Sequence, residues 1–359
     1  MNILLVNSAA PELWGGGEKW FVNAAQWFNS QSHSVTLVAR PKSKLQSRAE
    51  ELNLDTIPCK FGGDFDPLAM LRAREVIRAS RAQVVLTNFN KESWHFGVAA
   101  RTLKIPLVAR HGFTLWSKKF RHKLLAEKII TKLIVNAESI RDYYLSLGLS
   151  PREMVVIPNG VDVAQQRGGE LRKQLEMNES TLLLVAAGRL ESQKRFDRLL
   201  NIAAQSKHEF EFKLAIFGAG PDEQDLQEQC RRLGLEKLVS FRGFDPNFAH
   251  VVGDADLFLL TSDEEGAPNV VLEAMSAGVP VLGFNVGSMS NILAGELAPF
   301  LIEAKNEQVF HKRLRELAGD RATLKSWRAK FQNRARDEFS FESSMRQYLD
   351  VLTSVLPSA

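Results

Sequence analysis

Two glutamates, Glu265 and Glu273, stand eight positions apart in the run Glu-Glu-Gly-Ala-Pro-Asn-Val-Val-Leu-Glu-Ala-Met-Ser-Ala-Gly-Val-Pro-Val-Leu. The second interrupts residues that are otherwise small or apolar. An ionised carboxylate among Val270, Val271, Leu272, Ala274 and Met275 is costly to bury without a partner. Ligand hydroxyls would supply one. A solvated loop charge at Glu265 and an exposed, dipole-stabilised helix position at Glu273 form the plainer alternative.

The local pattern says which elements carry these groups. Pro268 stops any preceding helix, Asn269 can cap a new one, Val270 to Ala277 continue it, and Gly278 suits the left-handed residue that closes it. Glu265 and Gly266 then lie in a loop ahead of a helix N-terminus, where free N–H groups attract anions, with Glu273 about one turn inside. A phosphate at the terminus would have a carboxylate on either side, each able to accept from sugar hydroxyls. A nucleotide sugar has that shape.

Upstream, Ala186-Ala187-Gly188-Arg189-Leu190-Glu191-Ser192-Gln193-Lys194 leaves an apolar strand directly. Arg189 and Lys194 at the end of that strand can neutralise a diphosphate and stabilise charge growing on it as a bond breaks. Together these stretches resemble the donor-binding signature of family 4 retaining glycosyltransferases, whose two glutamates with seven residues between are matched in full. The resemblance spans nearly the whole chain and is strongest from Val156 through Gly287. It implies the GT-B fold: α/β, two Rossmann-like doubly wound parallel-sheet domains facing across a cleft.

It also implies roles. Glu273 would hold ribose hydroxyls, with Gly266, Asn269 and Val270 beside it at the nucleotide. Arg189 and Lys194 would clamp the diphosphate, and Glu265 would contact the donor sugar. In Trp14-Gly15-Gly16-Gly17-Glu18-Lys19 the glycines permit close approach of backbone to a ligand, and the resemblance sets Gly15, Gly16 and Gly17 against sugar and phosphate. His111, after Val108-Ala109-Arg110, would help stabilise positive charge at the anomeric centre. Asn136-Ala137-Glu138-Ser139 departs in order from the family's Asn-Ser-Glu segment, so no role is carried to it.

Other motifs weigh against other classes. Phe217-Gly218-Ala219-Gly220-Pro221 lacks the third small residue of a dinucleotide fingerprint, because Glu223 stands there. Gly218 and Gly220 instead suit a tight turn near the nucleotide, and Arg242-Gly243-Phe244 would border the base. Asp64-Phe65-Asp66 reads as a helix start and Asp254-Ala255-Asp256 as the entry to a strand. Neither spacing makes a magnesium site, and no metal or other cofactor is expected.

The chain has 359 residues, 45% hydrophobic and 25% charged. That size and composition suit a globular protein of two domains. No apolar run in the sequence reaches the roughly eighteen residues of a membrane span. Met1 to Asn7 reads as a first strand rather than a leader. Two cysteines, Cys59 and Cys230, do not make a disulfide framework. The expected location is cytoplasmic. The formal charge of +4 suits anionic ligands or an anionic membrane face and does not point to nucleic acid. Lys118, Lys119, Arg121, Lys123, Lys128 and Lys132 surround a single acid, Glu127. Peripheral contact with the inner face of the cytoplasmic membrane is one reading of that stretch, and an amphipathic helix on its own sheet is the other.

Short aliphatic runs bounded by turn residues indicate strands. They are expected at Ile3 to Val6, Val35 to Val38, Val84 to Leu86, Pro106 to Ala109, Leu133 to Val135 and Val155 to Ile157. They restart at Leu182 to Ala187, Leu214 to Phe217, Leu238 to Phe241, Leu257 to Leu260, Val279 to Phe284 and Phe300 to Ile302. Domain limits are set at 1–162 for an acceptor-side domain, 163–340 for a nucleotide-sugar-binding domain, and 341–359 for a helix returning to the first. The expected activity is transfer of a hexose-type sugar, with retention, from a nucleoside diphosphate sugar to a hydroxyl of a saccharide or glycolipid acceptor. UDP is the favoured nucleotide, with GDP and ADP open, and the acceptor is expected in bacterial polysaccharide or lipopolysaccharide synthesis. A nucleotide-sugar epimerase and a silent sugar-nucleotide or glycan-binding protein remain alternatives.

Overall fold

The computed structural model describes residues 1–88, 91–112, 124–125, 127–150, 154–162, 169–178 and 180–357. Two compact units emerge, one of Met1–Pro158 with the chain from Ser344 onward, the other of Asn159–Ser343. Each has one parallel sheet. In the first unit the strands are β1 (Asn2–Val6), β2 (Ser34–Ala39), β3 (Asp55–Pro58), β4 (Val84–Asn88), β5 (Leu107–His111), β6 (Lys132–Val135) and β7 (Met154–Val156). Their order is β3-β2-β1-β4-β5-β6-β7, with every pairing parallel. Burial is near-continuous along β1, β4 and β5, as a sheet covered on both faces requires.

The second unit has β8 (Leu182–Ala187), β9 (Phe212–Phe217), β10 (Val239–Gly243), β11 (Leu257–Leu260), β12 (Val281–Phe284) and β13 (Leu301–Ile302). They run β10-β9-β8-β11-β12-β13, again all parallel. Both sheets therefore reverse direction of winding, between β1 and β4 and between β8 and β11. Doubly wound sheets bind ligands outside the carboxyl ends of strands at such a reversal. This is the expected fold class.

The differences from expectation are local. Edge strand β3 was not anticipated, because Asp55-Thr56-Ile57-Pro58 offers only one aliphatic residue and an edge needs less burial. The helix after β11 spans Asn269–Ser276 with Pro268, not Asn269, at its N-cap. Asn269 Oδ1 instead accepts from Asn159 Nδ2 at 2.8 Å. Gly278 does take the left-handed conformation, φ 72°. The aromatic stripe of the helix Gly16–Ser30 is core, with Trp20, Phe21, Trp27 and Phe28 all buried. In the helix Phe341–Ser354, Met345, Tyr348 and Leu352 are buried, and the Tyr348 ring lies 4.8 Å from Trp20. Lys118 to Lys123, Phe89, Asn90 and Phe113 to Trp116 lie outside the described residues.

Candidate functional site

In the second unit the loops leaving β8 and β11 meet at the reversal. Lys194 Nζ lies 2.7 Å from Glu265 Oε2, and the two side chains are 20% and 6% exposed. Ser262 Oγ donates to the other carboxylate oxygen at 2.7 Å. The loop backbones are joined as well, Asp263 N–H donating to Gln193 O at 2.9 Å. Two expected ligand contacts are thus paired with each other directly.

A buried arginine network anchors this loop from behind. Arg198, only 3% exposed, donates to Thr261 O, Asp263 Oδ1 and Glu307 Oε1, each at 2.9 Å. Arg195 reaches Asp263 Oδ2 at 2.8 Å. Burial pushes the Asp263 carboxyl up, but the hydrogen bonds from Arg195 and Arg198 outweigh it and hold the group below its usual range. Nothing in the sequence spacing singled out Arg195, Arg198 or Asp263. The arginines and Asp263 lie more than sixty positions apart.

Glycines set the remaining geometry. Gly218 has φ 133°, and a Cβ there would stand 1.8 Å from Gly188 O. The segment Phe217 to Gly220 lies along the Gly188 to Leu190 backbone, with Gly188 N–H to Phe217 O at 3.0 Å and Leu190 N–H to Ala219 O at 3.1 Å. The role of Gly218 is a close backbone approach that fixes the root of the Arg189 loop. Gly287, φ 57°, does the same for the other loop, where a Cβ would meet Glu265 O at 2.2 Å. Ser288 N–H donates to Gly266 O at 2.9 Å.

Arg189 projects from its loop with 65% of its side chain exposed and Glu191 at 3.4 Å. Glu273 is partly buried on the helix Asn269–Ser276, as are Val270 and Asn269. The Asp254-Ala255-Asp256 carboxylates are taken up structurally. Asp254 accepts from the N–H groups of Gly169 and Leu171, while Asp256 accepts from Leu183 N–H and pairs with Arg172 and Arg321. Asp66 caps the helix Pro67–Ala79, its Oδ1 accepting from Leu68 N–H at 2.9 Å. Among the described residues no group of three or more His, Cys, Asp or Glu is gathered as metal ligands.

The first unit carries its polar groups at the carboxyl ends of β1, β4, β5 and β6. Gly15 caps the helix Gly16–Ser30, and its N–H donates to Glu18 Oε2 at 2.9 Å. Around Gly17 a Cβ would meet nothing within 4 Å, so space rather than strain marks that position. His111 ends β5, 5% exposed, with Nδ1 against the hydroxyl of Tyr144. Burial raises the Tyr144 phenol far above its usual range, so the hydroxyl keeps its proton and is able to donate to Nδ1. When the hydroxyl donates, the neutral imidazole carries its proton on Nε2, and when Nδ1 donates, Nε2 is the acceptor. Beside it Arg110 lies 4.0 Å from the Trp20 ring centroid and 3.3 Å from Asn88 Oδ1.

Sequence reasoning also missed Glu92. It is 1% exposed and accepts from Ser8 Oγ just beyond β1, and burial pushes its carboxyl up to about 7. The helical pattern after Asn88 gave no sign that this acid faces inward.

A family model described as glycosyl transferases group 1 matches residues 169–338, and one described as glycosyltransferase family 4 matches residues 14–165. A UDP-Gal:alpha-D-GlcNAc-diphosphoundecaprenol alpha-1,3-galactosyltransferase of Escherichia coli is 26% identical over 279 residues, covering 71% of both chains. The lipopolysaccharide core biosynthesis glycosyltransferase LpsD of Rhizobium meliloti is 24% identical over 180 residues, 50% of this chain and 52% of that one. Anabaena HepE, solved in complex with UDP, superposes with a TM-score of 0.87 at 19% identity, covering 99% of this chain and 100% of that one. The lipopolysaccharide outer core galactosyltransferase WaaB, in its apo form, superposes with a TM-score of 0.74 at 18% identity, covering 99% of each. At such identities the solved structures establish the fold. With both family models matching in succession, the chain is a GT-B-fold glycosyltransferase related to the group 1 and family 4 glycosyltransferases.

Proposed function

We propose that the protein transfers a hexose-type sugar, with retention of anomeric configuration, from a UDP-linked donor to a hydroxyl of a saccharide or glycolipid acceptor in bacterial surface-glycan synthesis. The observation that carries this reading is the Lys194–Glu265 pair at the winding reversal of the second sheet, with Arg189 exposed on the same loop. Anionic ligands bind where parallel strands part, and cations there offset charge developing on a leaving diphosphate. The named donor of the Escherichia coli relative and the UDP held by Anabaena HepE favour a uridine nucleotide.

Arg189 and Lys194 take the diphosphate, Glu265 the sugar, and Glu273 the ribose, with Gly266, Asn269, Val270 and Gly218 around the nucleotide. His111 and the Gly15 to Gly17 loop are the first unit's candidates for sugar and phosphate. The leaving phosphate would assist attack on the same face of the sugar, since no carboxylate is identified as a covalent nucleophile. We assign no metal to this step. Of the basic residues between Lys118 and Lys132, for which an anionic membrane face is one of two readings, Lys118, Lys119, Arg121 and Lys123 lie outside the described residues.

Calorimetric titration with UDP, GDP and ADP, followed by donor hydrolysis, tests the reading. UDP should bind most tightly, and its sugar ester should be consumed without added metal. Binding of none of the three would remove the donor assignment. Interconversion of the donor sugar without transfer would make the protein an epimerase.

A further inference from the structure

Two arginines are buried among the described residues, Arg110 at 7% and Arg198 at 3% exposure. Their surroundings differ in kind. Arg198, in the second unit, has carboxylates on two sides, Asp263 and Glu307, each at 2.9 Å. Among the described residues no carboxylate pairs with Arg110 in the first unit. Its Nη1 donates to Asn88 Oδ1 at 3.3 Å, its Nε to the Tyr348 hydroxyl at 3.4 Å, and its guanidinium carbon stands 4.0 Å over the Trp20 ring. Both hydrogen bonds are long and go to neutral oxygens. A buried charge without a counter-charge is costly, and stacking on an aromatic ring offsets only part of that cost. The buried acids Glu18 and Glu92 have other partners, the one accepting from Gly15 N–H and the other from Ser8 Oγ.

One edge of the guanidinium is left over. Among the described residues Nη2 makes no hydrogen bond, and it is not sealed from solvent as Nε1 of the stacked Trp20 ring is. Arg110 is the penultimate residue of β5 and is level with Asn88, the last of β4. It therefore stands where parallel strands present their carboxyl ends to ligands. Trp20 sets it against the first turns of the helix Gly16–Ser30, whose opening N–H groups have no acceptor within the helix. There is room as well, since a Cβ at Gly17 would meet nothing within 4 Å.

We propose that Arg110 selects the acceptor by binding a negatively charged group on it, a phosphate or a carboxylate, through the unbonded edge of the guanidinium. The inference rests on the proposed transfer reaction and deepens it. Arg189 and Lys194 of the second unit take the donor's diphosphate, and Arg110 supplies a separate anion site for the acceptor on the first. A sugar phosphate, a lipid diphosphate and a uronic acid all present the same kind of oxyanion. Stacking on Trp20 and the bond to Asn88 fix the guanidinium before the acceptor arrives, so little freedom is lost on binding.

Sugar binding to the full chain, with UDP saturating the donor residues, tests this. Glucose 6-phosphate and methyl glucuronide carry the two kinds of charge, and methyl glucoside is their neutral counterpart. The better charged sugar should bind about tenfold or more tighter than methyl glucoside. Which of the two it is tells a phosphorylated acceptor from an acidic sugar. Asn88→Asp would give Arg110 an internal carboxylate in place of Asn88 Oδ1. That variant should melt no lower than the wild type, yet bind charged and neutral sugars within about twofold of each other. Arg110→Gln should lose the preference too, with its affinity for UDP unchanged. Equal binding of the three sugars to the wild type overturns the proposal, and so does a preference that survives in either folded variant. A loss of UDP affinity of about tenfold in Arg110→Gln also overturns it, since the arginine would then serve the donor. If the wild type fails to bind UDP, the transferase reading falls; if it binds UDP without preferring charged sugars, only the acceptor proposal falls.

Discussion

Replacing Lys194 by methionine keeps its apolar stem and removes its charge, leaving Glu265 with Ser262 as its side-chain partner. The Lys194–Glu265 distance of 2.7 Å equals that of Arg48–Glu51, but the exposures differ, 20% and 6% against 51% and 60%. At an effective dielectric constant of about 20 the close pair is worth roughly 6 kcal/mol of attraction before desolvation. Stranding one member of a buried pair costs about 3 kcal/mol, whereas losing an exposed pair costs about 0.5 kcal/mol or less. Lys194→Met should therefore lower the melting transition of the second unit by roughly 6 to 12 °C. Arg48→Met should leave the chain's melting nearly unchanged. Adding Glu265→Gln removes the stranded charge and should recover much of the loss. Turnover separates scaffolding from chemistry: kcat should fall about 10²- to 10³-fold in Lys194→Met and stay low in the double variant. Calorimetry and donor-hydrolysis assays on the same preparations decide this. If the single variant melts like wild type, the pair is not desolvated. If the double variant regains turnover along with stability, Lys194 does not act on the diphosphate.

Arg189→Ala should cut kcat about 100-fold, the scale of losing one charge-stabilising group, and unchanged turnover would refute the clamp. Its ion pair with Glu191 is exposed. The same variant should therefore change stability by only about 0.5 kcal/mol or less. Gly218 combines φ 133° with a Cβ position 1.8 Å from Gly188 O. Gly218→Ala should destabilise the second unit by about 2 to 4 kcal/mol in denaturant titrations. Glu92 has its carboxyl raised from an ordinary 4.5 to about 7, so between those values the unfolded chain sheds a proton that the folded chain keeps. Stability of the first unit should fall as pH rises through that window, by about 3 kcal/mol, and level off above it. Glu92→Gln should flatten the profile, and a fall that persists in the variant would assign it elsewhere.

The strands were legible because each is a short aliphatic run, and the order of alternation with helices fixes a doubly wound sheet. β3 was not legible, since an edge strand with Asp55, Thr56 and Pro58 has no such run. The glutamates, Arg189 and Lys194 stood out by residue type against their neighbours. That Lys194 and Glu265 bind each other was not readable, because the pair joins positions 71 apart. Asn269 shows the same limit: its type and place suggest a cap, but Asn159, 110 positions upstream, takes its carbonyl oxygen. Asp254-Ala255-Asp256 reads as the entry to a strand, but the Gly169, Leu171, Arg172 and Arg321 groups that take up its carboxylates are distant in sequence and not legible from it. Local pattern reports elements; long-range pairing decides which polar groups are available to a ligand.

The first unit is not contiguous in the chain. Arg110 stacks on Trp20 and its Nε lies 3.4 Å from the hydroxyl of Tyr348, a residue 238 positions later. Proteins emerge from the ribosome N-terminus first and their domains fold as units. Here the opening half waits until the second unit has been synthesised before the helix from Ser344 can cover Trp20. A ribosome-stalled chain ending before Ser344 should therefore keep Trp20 open to an aqueous quencher, and release of the remaining residues should close it.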